Sequence, residues 1–185
     1  MRQIVIQGRG GQGAQTAGNL LAAAFFDEGN QVQCFATYGG ARRGTPVSSF
    51  LRVDGRPVRV RCDIDRADAI LCFDASLLEG RLLATAHAAT VIVVNSARAS
   101  EEIAQDLPGY RIVALDGLAI ARRHGLGRIV NSALLGGLAR AVGSPSLEGL
   151  MRTIGAQAPK LRDENLAACE AGHRQVDQAL SGVPS

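Results

Sequence analysis

The chain opens with a strand that feeds directly into a glycine loop, with Gln3-Ile4-Val5-Ile6-Gln7 running into Gly8-Arg9-Gly10-Gly11-Gln12-Gly13. Glycines at 8, 10 and 13 give the GxGxxG spacing, which lets backbone approach a phosphate and aims free N–H groups from the start of the next helix. The same spacing also serves tight strand-helix packing with no ligand, so the residues that follow must decide its use. From Ala14 to Glu28, apolar Ala17, Leu20, Leu21, Ala24 and Phe25 recur at helical spacing, and Gly29-Asn30 is a stop signal. Gln31 to Phe35 reads as a second strand, Thr37 to Thr45 as a polar, glycine-rich loop, and Val47 to Val53 as a strand. A turn at Asp54-Gly55 would pair that strand with Pro57 to Arg61 as a hairpin.

Ala69 to Phe73, Thr90 to Val94 and Arg111 to Leu115 are short apolar runs suited to buried parallel strands. Helices are expected over Ser76 to Ala86, Gly117 to His124, Val130 to Ala141, Ser146 to Ile154 and Asp163 to Leu180. Strands alternating with crossover helices predict an α/β fold: a doubly wound, mostly parallel sheet with helices on both faces and a small β-hairpin insertion.

A length of 185 residues with 46% hydrophobic and 20% charged content predicts one domain spanning 1–185. No charged start leads into a long apolar stretch, and no run approaches the roughly 18 apolar residues a membrane span needs, so a cytoplasmic location is expected. Cysteines at 34, 62, 72 and 169 share no metal-ligand spacing and are read as buried small hydrophobes. The chain is expected to hold no iron-sulfur cluster or metal.

Net charge is +3, but Arg42, Arg43, Arg52, Arg56, Arg59, Arg61 and Arg66 crowd one segment against Asp54, Asp63 and Asp65. Lys160 is the only lysine, so nearly every cation is a guanidinium, suited to forked contacts with phosphate or carboxylate. The segment fits a phosphorylated ligand, an acidic partner surface or a solvated hairpin face. Nucleic acid is disfavoured because no aromatic side chains interleave with the arginines.

A dinucleotide domain needs an acid about 20 residues past the glycines to hold the ribose. Cys34-Phe35-Ala36-Thr37 supplies none, which disfavours a stand-alone dinucleotide-binding oxidoreductase. The loop also lacks the Gly-Lys-Ser/Thr ending of a nucleoside-triphosphate cradle. No Ser-His-Asp, Cys-His or paired-carboxylate arrangement is present, so no catalytic residue is assigned.

Downstream of the glycine loop stands Tyr38-Gly39-Gly40-Ala41-Arg42-Arg43-Gly44-Thr45-Pro46-Val47. Together the two blocks resemble the gamma subunit of the pyruvate and 2-oxoacid:acceptor oxidoreductases, with residues 8–13 matching its Gly-Arg-Gly-Gly-Gln-Gly loop. Phe50-Leu51-Arg52, Asp68 to Leu71 with Asp74, Asn131 to Gly136 and Glu164-Asn165-Leu166 extend the similarity along the chain. Many relatives carry Pro-Glu where this chain has Gly40-Ala41, so no role of that glutamate transfers. The Arg-Arg-Gly-x-Pro form is nearer the pyruvate-type branch, which includes phenylglyoxylate dehydrogenase.

The resemblance implies one part of a thiamine-diphosphate-dependent complex that converts a 2-oxoacid, CoA and an oxidised acceptor to acyl-CoA, CO2 and reduced acceptor. Thiamine diphosphate and iron-sulfur clusters would reside on alpha, beta and iron-sulfur partner subunits, and the isolated chain would be inactive. The acceptor, ferredoxin or NAD, depends on those partners. Candidate cofactor-binding residues for CoA contact are Gly8, Arg9, Gly10, Gly11, Gln12, Gly13, Tyr38, Arg42, Arg43 and Asn131. Arg42 and Arg43 could instead fix assembly. Asn131 could cap a helix, Asp74 could point into the crevice or cap a helix, and Tyr38 could face a ligand or an interface. A purely structural assembly subunit with an empty glycine loop is the alternative.

Overall fold

The computed structural model describes residues 1–40, 44–158 and 160–181. In chain order the strands and helices are β1 (Arg2–Arg9), α1 (Ala14–Asp27), β2 (Gln31–Tyr38), β3 (Pro46–Asp54), β4 (Ala69–Cys72), α2 (Gly80–Ala84), β5 (Val91–Asn95), α3 (Ser100–Asp106), β6 (Arg111–Leu115), α4 (Gly117–Arg123), α5 (Asn131–Val142), α6 (Leu147–Gln157) and α7 (Arg162–Ser181). A single 3₁₀ turn, Ala75–Leu77, follows β4.

The strands form one six-stranded sheet in the order β2-β3-β1-β4-β5-β6. β1, β4, β5 and β6 are mutually parallel, while β3 runs antiparallel to both of its neighbours. Because β3 reverses direction between them, β1 and β2 point the same way, and the loops leaving both emerge at one end. Alternate residues of each strand feed two cores. Ile4, Ile6, Leu51, Leu71, Val93 and Leu115 pack toward α1 and α4 to α7, whereas Val5, Phe50, Ile70, Ile92 and Val94 pack toward the 3₁₀ turn, α2 and α3. Helices therefore cover both faces, as the alternation of strand and helix implies.

The hairpin lies elsewhere than expected. β3 pairs with β2 through the 39–45 connection, while residues 57–61 form no strand. Two physical reasons decide this. Val47, Phe50, Leu51 and Val53 are buried toward both faces, which an edge hairpin cannot provide, and Pro57 has no N–H to give a ladder. The expected Ser76–Ala86 helix is broken into the 3₁₀ turn and the five-residue α2, whose first residue, Gly80, sits in the left-handed region at φ 48. Helix α3 carries two glutamates in its first turn and buries only Ile103, so it offers no apolar stripe to read.

α1 ends as its sequence predicts. Gly29 N–H donates to the Phe26 carbonyl at 2.9 Å, and Asn30 Nδ2 donates to the Phe25 carbonyl at 3.1 Å. At this same end, Glu28 accepts from Ser146 N–H at 2.8 Å and from its hydroxyl at 2.6 Å, fastening α1 to the start of α6. These contacts fix the axis along which the glycine loop points.

Candidate functional site

The glycine loop turns out of β1 on backbone that only glycine adopts freely. Gly13 has φ 91, lies in the left-handed region and is the N-cap of α1, with no side chain capping the helix and no acid in its first turn. The opening N–H groups of a helix have no partner within it and carry the positive end of its dipole. The loop is braced from inside, because the Gln12 Oε1 accepts from Arg9 N–H at 2.6 Å and Gln12 N–H donates to the Arg9 carbonyl at 2.9 Å. Gly10 N–H donates to the Thr45 carbonyl at 2.9 Å, which joins the first loop to the second. The two sequence blocks therefore meet at the carboxyl end of β1, as the parallel direction of β1 and β2 requires.

Arg9 is held across the crevice rather than left in solvent. Its Nε donates to Asp74 Oδ2 at 2.8 Å and one terminal nitrogen to Ser76 Oγ at 2.7 Å. Asp74 also accepts from Ser76 N–H at 3.1 Å and from its hydroxyl at 2.6 Å, an Asx-type turn that caps the 3₁₀ turn. Both expected readings of Asp74 therefore hold together: it caps a turn and it faces the crevice. Partial burial pushes its carboxyl up, but the Ser76 donors and the Arg9 guanidinium outweigh that and hold it below the ordinary carboxylate value.

Asn131 is brought to the same place from 118 residues past Gly13 in sequence. A Cβ on Gly13 would lie 2.5 Å from Asn131 Nδ2, so the loop and this amide are in direct contact. The capping role is corrected: Val130 is the N-cap, no side chain caps α5, and Asn131 is the first helical residue. Its Oδ1 is buried with no hydrogen-bond partner among the described residues. Two helix N-termini, those of α1 and α5, thus converge at Gly13, neither with an acid in its first turn.

Tyr38 ends β2, is 58% exposed, and donates its hydroxyl to Gln15 Oε1 in the first turn of α1. With Gly39, Pro46 and Ser48 it also borders a groove of about 760 Å³ on the sheet face opposite α1. Arg42 and Arg43 lie outside the described residues. Ser76 and Gln15 belong to the constellation but were not singled out from sequence; the Asp74-Ala75-Ser76 spacing of an Asx turn was the available signal.

The cysteines divide. Burial pushes the Cys72 and Cys169 thiols up to about 12 and raises that of Cys34, so these behave as small hydrophobes. Cys62 is corrected to exposed, with an Arg52 terminal nitrogen 3.7 Å from its sulfur. Among the described residues no group of three or more His, Cys, Asp or Glu is placed to hold a metal ion, and no helix is long and apolar enough to cross a membrane.

Comparison with known proteins bears on this geometry. Residues 3–175 match a family model described as pyruvate ferredoxin/flavodoxin oxidoreductase. The chain is 39% identical over 140 residues to the common gamma subunit of the pyruvate/ketoisovalerate oxidoreductases of Thermococcus kodakarensis, covering 74% of this chain and 75% of that one. It is 35% identical over 137 residues to the pyruvate synthase subunit PorC of Methanosarcina barkeri, covering 74% of this chain and 75% of that one. The crystal structure of the pyruvate oxidoreductase subunit PORC of Thermotoga maritima superposes with a TM-score of 0.81 at 28% identity, covering 94% of this chain and 95% of that one.

Proposed function

The chain belongs to the pyruvate ferredoxin/flavodoxin oxidoreductase family, and from that premise we propose that it is the gamma subunit of a multi-subunit 2-oxoacid:acceptor oxidoreductase and supplies part of the CoA site. The overall change is 2-oxoacid, CoA and oxidised acceptor to acyl-CoA, CO2 and reduced acceptor. Alpha, beta and iron-sulfur partner subunits carry the thiamine diphosphate and the clusters. When bound there, thiamine diphosphate supplies the electron sink for decarboxylation. The chain's own part is binding and orientation, carried out by residues 1–185 as one domain.

The observation that carries this reading is the convergence of two uncapped helix N-termini on Gly13, with the Arg9 guanidinium pinned alongside. Such an arrangement favours a phosphate group: backbone N–H groups donate to it and the dipoles attract it, while the Arg9–Asp74 pair borders the loop. The unfilled Asn131 Oδ1 adds a second requirement, because it needs a donor. CoA meets both with its phosphates and its neighbouring hydroxyl and amide N–H groups. Gly8, Gly10, Gly11 and Gln12 shape and brace the loop, Tyr38 walls the crevice, and Arg42 and Arg43, which precede Gly44 in sequence, are assigned forked contacts with the CoA phosphates.

The experiment is steady-state kinetics of the assembled complex carrying Gly13→Ala. A Cβ there meets Asn131 and takes a backbone conformation that L residues rarely hold, so it closes the phosphate seat. The KM for CoA should rise about tenfold or more, with the KM for the 2-oxoacid unchanged. An unchanged KM for CoA in a normally assembled complex contradicts the reading.

A further inference from the structure

We propose that the segment from Arg56 to Arg61 is a docking strap for an acidic surface on a partner subunit of the same complex. The inference rests on the gamma-subunit reading but concerns a different place on the molecule. The strap follows β3 at Asp54 and rejoins the body at Asp63 and Ile64, the latter only 1% exposed. Its return end is clamped by Arg52, a guanidinium just 2% exposed, which donates to the Asp63 carbonyl at 3.1 Å and to Gln3 Oε1 at 3.0 Å. Between these anchors, residues 57–61 belong to no helix or strand, and none of the backbone hydrogen bonds outside regular elements involves them among the described residues.

Arg56, Arg59 and Arg61 are all exposed, and among the described residues none of the three guanidiniums has an ion-pair or hydrogen-bond partner. No acid stands between Asp54 and Asp63. Asp54 is engaged by the Met1 amine at 3.0 Å and by Arg56 N–H at 3.2 Å, and Asp63 faces Arg81 at 4.0 Å. Asp54 and Asp63 are thus directed elsewhere, and the three exposed cations stand with Val60, itself 47% exposed.

Three features select an acidic protein surface as the occupant. The strap lies at the amino end of β1, where Arg52 pairs with Gln3, whereas the glycine loop follows Arg9, which pairs with Pro46. At about 3.3 Å per residue that separates the two by roughly 20 Å, too far for a phosphate seated at Gly13. No aromatic residue occurs between Phe50 and Phe73 to stack on bases. Unpaired arginines beside an exposed valine and open backbone groups suit the rim of a protein interface, where such charges govern encounter rate and salt sensitivity.

The test uses the tagged full chain in its native host, with partner subunits identified by mass. The triple variant Arg56→Glu/Arg59→Glu/Arg61→Glu should recover partners about tenfold less than wild type near 50 mM salt, and the difference should shrink near 500 mM. In a separate Arg59→Lys chain, carbodiimide should join the new amine to an Asp or Glu of a partner subunit, located by peptide mapping. This conservative variant keeps the charge, so it reports contact even if the triple variant folds poorly. Partner recovery equal to wild type at both salts, or cross-links confined to the chain's own carboxylates, overturns the proposal. So does a triple variant that assembles normally and changes only the KM for CoA. If the wild-type chain recovers no partner at all, the gamma-subunit reading fails first.

Discussion

Asn131 presents its buried Oδ1 without a partner among the described residues, which leaves an acceptor whose desolvation costs about 1–3 kcal/mol. Replacing it by alanine removes that cost, so chemical denaturation of Asn131→Ala should show stability equal to wild type or up to about 1 kcal/mol higher. The same variant should weaken CoA binding by the assembled complex about tenfold, a split that a merely structural asparagine would not produce. Asp74 gives a pH signature. Its carboxyl is held below the ordinary value, so its contribution is complete above about pH 4 and is lost as pH falls through the depressed folded value. Asp74→Asn should therefore lose less stability on acidification below about pH 4 than wild type does, measured by denaturant titration at successive pH values. Sequence alone revealed Gly13 and Arg9 because strand, glycines and helix are contiguous. It left Asn131 open between a helix cap and a CoA contact because asparagine is a good cap, and only the long-range approach of α5 to Gly13 brings its amide to the loop.

Elements position this site by close backbone contact. α5 and α7 cross where Gly136 and Gly172 face the opposite helix: an added Cβ would lie 1.9 Å from the Cys169 carbonyl oxygen at Gly136 and 2.0 Å from that of Ala133 at Gly172. Alanine is the better helix former by about 1 kcal/mol, yet Gly136→Ala should destabilise the chain by about 1–3 kcal/mol because the crossing cannot open without moving the core. Urea unfolding measures the sign directly. Since the same helix carries Asn131 at its first position, a weaker affinity for CoA should accompany the loss. The parallel strands β4, β5 and β6 were legible as short apolar runs. The place of β3 was not, because strand order is a long-range property and Arg52 disguises a central strand as a half-exposed one. Its guanidinium is buried by four neighbours supplied from β1, β2 and the following coil, Gln3, Gln33, Cys62 and Asp63.

At the scale of the whole molecule, the mixed sheet separates the two proposed sites by the length of a strand. The carboxyl end of β1 gathers the glycine loop, Arg9, Asp74 and the start of α5, while the amino end carries the arginine strap. The most direct test is 2-oxoacid- and CoA-dependent acceptor reduction by the purified chain, alone and after addition of its separately purified partner subunits. The account predicts no turnover from the chain alone or from the partners alone, and CoA-dependent turnover when they are combined. Turnover by the lone chain, or full CoA-dependent turnover by the partners without it, would contradict it.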